Sequence, residues 1–151
     1  MADPKSVQYS DLESLVGQTL GPSDWFEVDQ GRINTFADAT GDHQWIHVNE
    51  EMATKMLGST IAHGYLTLSL IPMFGPQVLS VQGVTRGINY GANKVRFTNM
   101  VPVNSKLRMT QTVKEVNEKA GGKQMISECT IEIEGQDRPA CVAETITVLY
   151  G

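Results

Sequence analysis

The stretch from Phe36 to Leu70, FADATGDHQWIHVNEEMATKMLGSTIAHGYLTLSL, separates an early helical half of the sequence from a late half of alternating strands. Its last residues begin the apolar run Gly64–Val81, whose hydrophobic residues fall on every side of a helix. A helix that is apolar all round is buried all round. The stretch therefore predicts a long core helix, which Pro72 and Pro76 should bend or end.

Shorter helices are predicted before this run. Ile33, Phe36 and Ala37 recur at helical spacing, and Gly41 is a natural stop. Asn49 is a candidate N-cap for a following helix, with two acidic residues in its first turn. The predicted helices are Tyr9–Val16, Arg32–Thr40 and Glu50–Met56, and the connector between the last two is predicted to be non-helical.

The late half of the chain changes to a period of two. Side chains alternate between apolar and polar over runs of about ten residues, which indicates half-buried strands. The predicted strands are Trp25–Val28, Ile88–Phe97, Ser105–Lys114, Met125–Glu134 and Ala140–Tyr150. The pattern predicts an α+β fold with a long central helix wrapped by an antiparallel sheet. Such a sheet leaves an edge that needs cover, so we expect a homodimer.

Composition limits the classes of partner and location. The 151 residues suit a single domain, 1–151, and the net charge of −5 argues against nucleic acid, which needs a concentrated basic surface. Two cysteines without CxxC spacing fit a reduced, cytoplasmic protein. The most apolar run is too interrupted for a membrane span of about 20 residues. We therefore expect no membrane association.

Asp42 and His47 are the candidate catalytic residues. A neutral imidazole is a suitable base for water near pH 7. A neighbouring carboxylic acid can deliver a proton if burial raises its pKa. The simpler interpretation is that Asp42 caps a turn and His47 is a satisfied polar residue, and the D-x4-H spacing alone does not decide between them.

A metal site is a second interpretation of the same region. His43 and His47 are four residues apart, and His63 would complete a three-histidine zinc site. The Gly-containing connector disfavours the helix that this requires, so we predict no metal. Cys129 and Cys141 lie in predicted strands and are interpreted as core residues.

Gly64 is the candidate oxyanion donor. Its backbone N–H has no partner within the predicted helix and lies at the positive end of the helix dipole. Such a donor can polarise a carbonyl group. The alternative is that glycine is needed only for close packing.

Several motifs together resemble one family. FADATGDHQWIH followed by IAHGYLTLSL is similar to the signature of MaoC-like dehydratases, the (R)-specific enoyl-CoA hydratases of hotdog fold. NYGANKVRF and the late segment PACVAET resemble the NodN-like branch of that family. The resemblance spans about Val28 to Tyr150.

The resemblance implies a function and a site. It implies a hotdog homodimer that adds water syn to a trans-2-enoyl-CoA, giving the (R)-3-hydroxyacyl product without a separate cofactor, since coenzyme A is part of the substrate. It assigns catalysis to Asp42 and His47 and thioester binding to the Gly64 N–H. Gln44 and Trp45 replace the family's usual Asn-Pro, and Gln44 keeps an amide for substrate binding. The alternatives are an acyl-CoA thioesterase on the same fold and a non-catalytic acyl-CoA-binding module.

Overall fold

The computed structural model describes residues 2–151 and combines helices with strands, as the α+β prediction requires. Met1, the first residue of the predicted 1–151 domain, lies outside the described range. The strands are β1 (Lys5–Gln8), β2 (Thr19–Leu20), β3 (Phe26–Val28), β4 (Leu79–Gln82), β5 (Arg86–Arg96), β6 (Ser105–Lys119), β7 (Gly122–Ile133) and β8 (Cys141–Tyr150). The helices are a 3₁₀ helix (Tyr9–Leu15), α1 (Gln30–Thr40), α2 (Trp45–Val48), α3 (Glu50–Leu57), α4 (Gly64–Ser69) and α5 (Ile71–Val78).

The main sheet has the strand order β2-β6-β7-β8-β5, and β3 also pairs with β6. All of its ladders are antiparallel. The alternation in the sequence sets which face is buried: Leu107, Met109 and Val113 of β6 are fully buried, whereas Lys106 is exposed. A separate parallel pair joins β1 to β4.

The central helical run begins at Gly64, as predicted, but it forms two helices rather than one. Leu70 lies between α4 and α5 and caps both. Pro72 stands in the first turn of α5, where a missing backbone N–H costs little. Pro76 lies inside α5 without ending it, and the chain leaves the helix after Val78 to form β4.

The sheet covers this helical run. The helix α5 packs on β6, and α4 packs on β8. Phe74 and Val78 of α5 are buried in the same hydrophobic cluster as Met109 and Ile131 of the sheet. The apolar helix surface that the sequence predicts is therefore buried against one face of the sheet.

The main sheet has an exposed edge strand, and the helices are short. Among residues 2–151, the strand β5 pairs only with β8, so its other edge is open there, and ten of its eleven residues are exposed. Within residues 2–151, the helices are all too short or too polar to cross a membrane.

Candidate active site

The connector after α1 brings Asp42 and His47 to one place. Gly41 ends α1 in a left-handed conformation (φ 84°), which turns the chain sharply. The Asp42 Oδ1 atom then accepts a hydrogen bond from the Gln44 N–H (3.3 Å), the local turn that short acidic side chains favour. His47 follows in α2, a single helical turn that the sequence prediction missed.

Hydrogen bonds fix the His47 side chain and its tautomer. His47 is 6% exposed, and its Nδ1 lies 2.7 Å from the Ile61 carbonyl oxygen. A carbonyl can only accept, so Nδ1 carries the proton and Nε2 keeps a lone pair. The Gln30 amide donates to the His47 backbone carbonyl (2.8 Å). These bonds leave Nε2 as the basic atom of the ring.

Burial also favours the basic form of His47. The pKa of His47 is lowered, chiefly because burial disfavours the charged imidazolium. The bond to Ile61 raises this pKa, the nearby His63 lowers it, and Asp42 raises it, each by a smaller amount. His47 is therefore neutral near pH 7, as a general base requires.

The surroundings of Asp42 differ from those expected. Asp42 is exposed, so the single chain does not supply the burial on which the predicted role as an acid depends. Its carboxylate nevertheless belongs to a compact cluster with His47 and His63, in which one ligand atom from each residue lies within 4.8 Å of the others. The predicted neighbours Asp42 and His47 are thus brought together.

His63 packs directly on His47, a contact that the sequence analysis did not predict. The two imidazole rings stack with centroids 3.8 Å apart and planes 23° apart. The His63 Nε2–H donates to the backbone carbonyl of Asp42 (3.0 Å), and the His63 Nδ1 is buried without a partner. His63 is 2% exposed.

The three histidines of the zinc interpretation do not form one site. His43 is exposed and its Nε2 lies 2.9 Å from the Asp38 carboxylate, a bond that raises the pKa of His43. The remaining cluster of Asp42, His47 and His63 has the ligand types of a metal site. Each imidazole already uses one ring nitrogen on a backbone carbonyl, His47 through Nδ1 and His63 through Nε2, which leaves one nitrogen of each ring for a further partner.

Gly64 begins α4, and its N–H has no acceptor among residues 2–151. A Cβ atom at this position would lie 3.0 Å from the Phe97 ring. Glycine is therefore required for packing against Phe97, which was the alternative interpretation, and Gly64 also lines a cavity.

A cavity of about 470 Å³ joins several of these groups. Its lining includes His47, Gly64, Thr67, Asn99 and Arg138. Neither Asp42 nor Gln44 is part of this wall. The Gln44 side chain makes no capping hydrogen bond, so the structure gives it no contact that would identify a substrate-binding role.

A second cavity of about 780 Å³ runs beside α5. Pro72, Gly75 and Cys129 line it, together with residues of β5 and β8. Burial raises the pKa of both the Cys129 and the Cys141 thiols to about 11, so neither forms a thiolate readily. Both cysteines are buried and free, as their interpretation as core residues predicted.

Sequence reasoning missed two residues near the site, Gln30 and Arg138, and it considered His63 only as a possible zinc ligand. Gln30 also accepts a hydrogen bond from the Thr60 hydroxyl (2.5 Å), so it ties α1 to the segment before α4. No periodicity identifies such residues, because their partners are distant in sequence.

Sequence comparison places the chain among known proteins. A family model described as a MaoC like domain matches residues 11–134. The chain is 48% identical over 139 residues to 3-hydroxyacyl-thioester dehydratase Z of Mycobacterium tuberculosis, covering 91% of this chain and 92% of that protein. It is 41% identical over 148 residues to nodulation protein N of Rhizobium leguminosarum bv. viciae, covering 95% and 91%.

Solved structures agree on the fold. An R-hydratase from Pseudomonas aeruginosa in its unliganded form superposes with a TM-score of 0.73 at 24% identity, over 94% of this chain and 84% of that one. An (R)-hydratase from A. caviae superposes with a TM-score of 0.71 at 21% identity, over 87% and 94%. These likenesses confirm the hotdog fold, and with the family match they establish that the chain belongs to the MaoC-like dehydratase family.

Proposed function

We propose that this protein is an (R)-specific enoyl-CoA hydratase, which adds water reversibly to a trans-2-enoyl-CoA. The observation that carries the proposal is the buried His47, which keeps Nε2 free, belongs to one cluster with the Asp42 carboxylate, and lines the same cavity as Gly64. The named activity of the mycobacterial relative, dehydration of a 3-hydroxyacyl thioester, is the reverse of this reaction. The chain is a hydro-lyase.

The proposed reaction begins at the β-carbon of the substrate. The His47 Nε2 takes a proton from water while the water oxygen bonds to the β-carbon. The π electrons move to the thioester oxygen, and the resulting enolate takes a proton on its α-carbon from Asp42. A proton then returns from His47 to Asp42, which restores the pair for the next turnover.

The remaining parts of the proposed site are the Gly64 donor, the cover over Asp42 and the Gln44 amide. The Gly64 N–H donates to the thioester oxygen, where negative charge develops, so it binds the enolate more strongly than the substrate. The bound substrate and a second subunit cover Asp42, which is exposed in the single chain. Gln44 is assigned to substrate binding through its amide.

Loss of the conjugated enoyl absorbance tests the proposal directly. The purified protein incubated with crotonyl-CoA should remove this ultraviolet band without releasing free thiol in a parallel DTNB assay. Thiol release with the band retained would instead identify an acyl-CoA thioesterase. Binding of the substrate without either change would identify a non-catalytic acyl-CoA-binding module.

The pH dependence of hydration should report His47. Because burial lowers the pKa of His47, we expect kcat/KM to hold as the pH falls to about 6.5 and to decline only below it. The same burial stabilises the neutral form, so stability is present above pH 6.5 and decreases as His47 becomes charged. A His43→Gln variant is the control, since His43 is exposed and bound to Asp38. An acid limb that lies above pH 7, or that moves in the control, would contradict the assignment.

Arg138 should recognise the phosphate-bearing part of coenzyme A. It is exposed at the cavity that contains His47, and it forms no ion pair with another described residue. An exposed charge pair contributes up to about 1 kcal/mol, so Arg138→Ala should raise KM for crotonyl-CoA about fivefold. The KM for the N-acetylcysteamine thioester, which lacks phosphate, should not change. Equal increases for both substrates would exclude phosphate recognition, and Arg138→Lys provides the charge-retaining control.

The open edge of β5 supports a homodimer. Ile88 and Tyr90 on this strand are 47% and 61% exposed, and an unpaired edge readily pairs with a second copy. Tyr90 lies at a bulge between Asn89 and Gly91, outside the ladder with β8. Tyr90→Pro should therefore spare the β5–β8 pairing and raise the dimer dissociation constant about 100-fold.

Light scattering after size exclusion measures this change. The wild type and a Tyr90→Phe control should have twice the 16.6 kDa mass of one chain, and the proline variant should have the mass of a monomer. A monomeric wild type would contradict the dimer.

The single domain 1–151, the cytoplasmic location, and the absence of a metal or separate cofactor remain predictions.

A further inference from the structure

His63 touches each of the three groups to which the proposed mechanism assigns a role. Its Nε2–H is bonded to the backbone carbonyl of Asp42 (3.0 Å), and its ring is stacked on His47. It directly precedes Gly64 and is the N-cap residue of α4. No other residue within 2–151 makes all three contacts.

We propose that His63 is a positioning residue that holds Asp42, His47 and the Gly64 N–H as one rigid unit. This inference rests on the proposed function, because the three groups matter only if they act on one substrate. His63 itself transfers no proton in this scheme. Its contribution is to keep the acid, the base and the enolate donor at fixed separations.

The bond to Asp42 matters because the other hydrogen bonds of the connector are local, including the bond of 2.9 Å from His43 to Asp38 in the adjoining helix α1. The Asp42 N–H reaches the Thr40 hydroxyl only at 3.5 Å, and the bond from the Gln44 N–H to the Asp42 carboxylate is 3.3 Å long. Both of these bonds lie within the connector and its adjoining helix end. The His63 bond is shorter, and it ties the Asp42 backbone to a segment 21 residues away.

Two aromatic rings hold the His63 ring. Phe36 contacts it with ring centroids 4.9 Å apart and planes tilted by 57°, and His47 stacks on it at 3.8 Å. Because a carbonyl accepts the Nε2–H, the proton is on Nε2, and Nδ1 is left buried with an unused lone pair. A buried unpaired polar atom destabilises the fold and calls for an explanation. Phenylalanine would fill the same space without that cost, so the Nε2–H bond is the feature that histidine adds.

Two substitutions separate the bond from the stack. His63→Phe keeps an aromatic ring between Phe36 and His47 but removes the donor to Asp42. His63→Gln keeps an amide N–H near the position of Nε2 but removes the ring. A displacement of about 1 Å can lower turnover about 100-fold, so we expect His63→Phe to lower kcat by about that factor and to leave KM within about twofold. His63→Gln should recover about tenfold of the loss, because the donor is restored.

A readout without turnover separates this inference from the proposed function. Amide hydrogen exchange of a peptide covering residues 41–48 should be about fivefold faster in His63→Phe, the effect of losing one net hydrogen bond on local opening. It should be unchanged in His63→Gln. If the wild type hydrates no enoyl-CoA, the proposed function fails, and the exchange rates still decide whether His63 holds the connector.

The outcomes that overturn the inference are specific. Wild-type kcat and exchange in a folded His63→Phe protein would show that the Asp42 bond is dispensable. Equal losses in the Phe and Gln variants would reduce His63 to a packing residue. If the Phe variant does not fold, His63→Asn replaces it, because the shorter amide cannot reach the Asp42 carbonyl. The exposed His43→Gln variant should retain the wild-type kcat.

Discussion

Replacing His47 by alanine should lower the rate of crotonyl-CoA hydration by about 10²–10⁴-fold, the usual range for a general base. The variant loses the Nε2 lone pair that the bond from Nδ1 to the Ile61 carbonyl keeps free. Because the contribution is made in the transition state, the loss should appear in kcat as well as in kcat/KM. Steady-state kinetics on a variant with a native circular dichroism spectrum measures this change.

Asp42→Asn should produce a loss of the same order. The asparagine side-chain oxygen can still accept the Gln44 N–H bond, so the connector keeps its turn while the carboxylic acid is removed. Asp38→Asn is the matched control: Asp38 is an exposed carboxylate whose partner is His43 rather than His47. The control should retain turnover within about twofold. Near-normal turnover in folded Asp42→Asn or His47→Ala would remove that residue from the mechanism.

Replacing Gly64 by proline should lower kcat by about 10²–10³-fold, the effect of losing one donor to an oxyanion. Proline suits the first position of a helix, and the preceding residue, His63 (φ −60°, ψ 139°), already has the extended conformation that proline requires. The substitution therefore removes the N–H with little demand on the backbone.

Gly64→Ala separates the lost donor from crowding. Both variants place a Cβ atom about 3.0 Å from the Phe97 ring, but alanine keeps the N–H. Any effect of crowding should therefore be common to the two, and the difference between their kcat values should report the hydrogen bond to the enolate. Equal kcat values for the proline and alanine variants would leave Gly64 as a packing residue alone.

Local signals allowed several elements to be predicted closely. Asn49 caps α3 by accepting from the Met52 N–H, and Gly58 ends that helix in a left-handed conformation. These signals are carried by single residues, so the predicted helix Glu50–Met56 is only one residue shorter than α3. The helix α1 begins two residues earlier than predicted because Asp29, which lies outside the apolar pattern, is its N-cap.

Elements that depend on distant partners were not predictable. The strand β1 is stabilised by β4, and its four residues have no alternation that would mark them as a strand. Pro72 was expected to bend or end the central helix, and the run divides at Leu70, two residues before it, whereas Pro76 lies inside α5 without ending it.

The candidate site also combines residues that local sequence identifies with contacts that depend on distant partners. Asp42 and His47 were identified because they are close in sequence and lie within a recognisable motif. The contact between His63 and the Asp42 carbonyl, across 21 residues, depends on how the connector folds back on α4. The exposure of Asp42 likewise depends on tertiary structure, and it differs from the buried acid that its proposed role suggested.

The stereochemistry of the hydration product tests the central claim most directly. Crotonyl-CoA should be hydrated by the wild-type protein, and chiral analysis should identify the product as the (R)-3-hydroxyacyl thioester. The His47→Ala variant, measured in parallel, should form little of this product. Formation of the (S) product, or no hydration of either crotonyl-CoA or a longer enoyl-CoA, would contradict the proposed function.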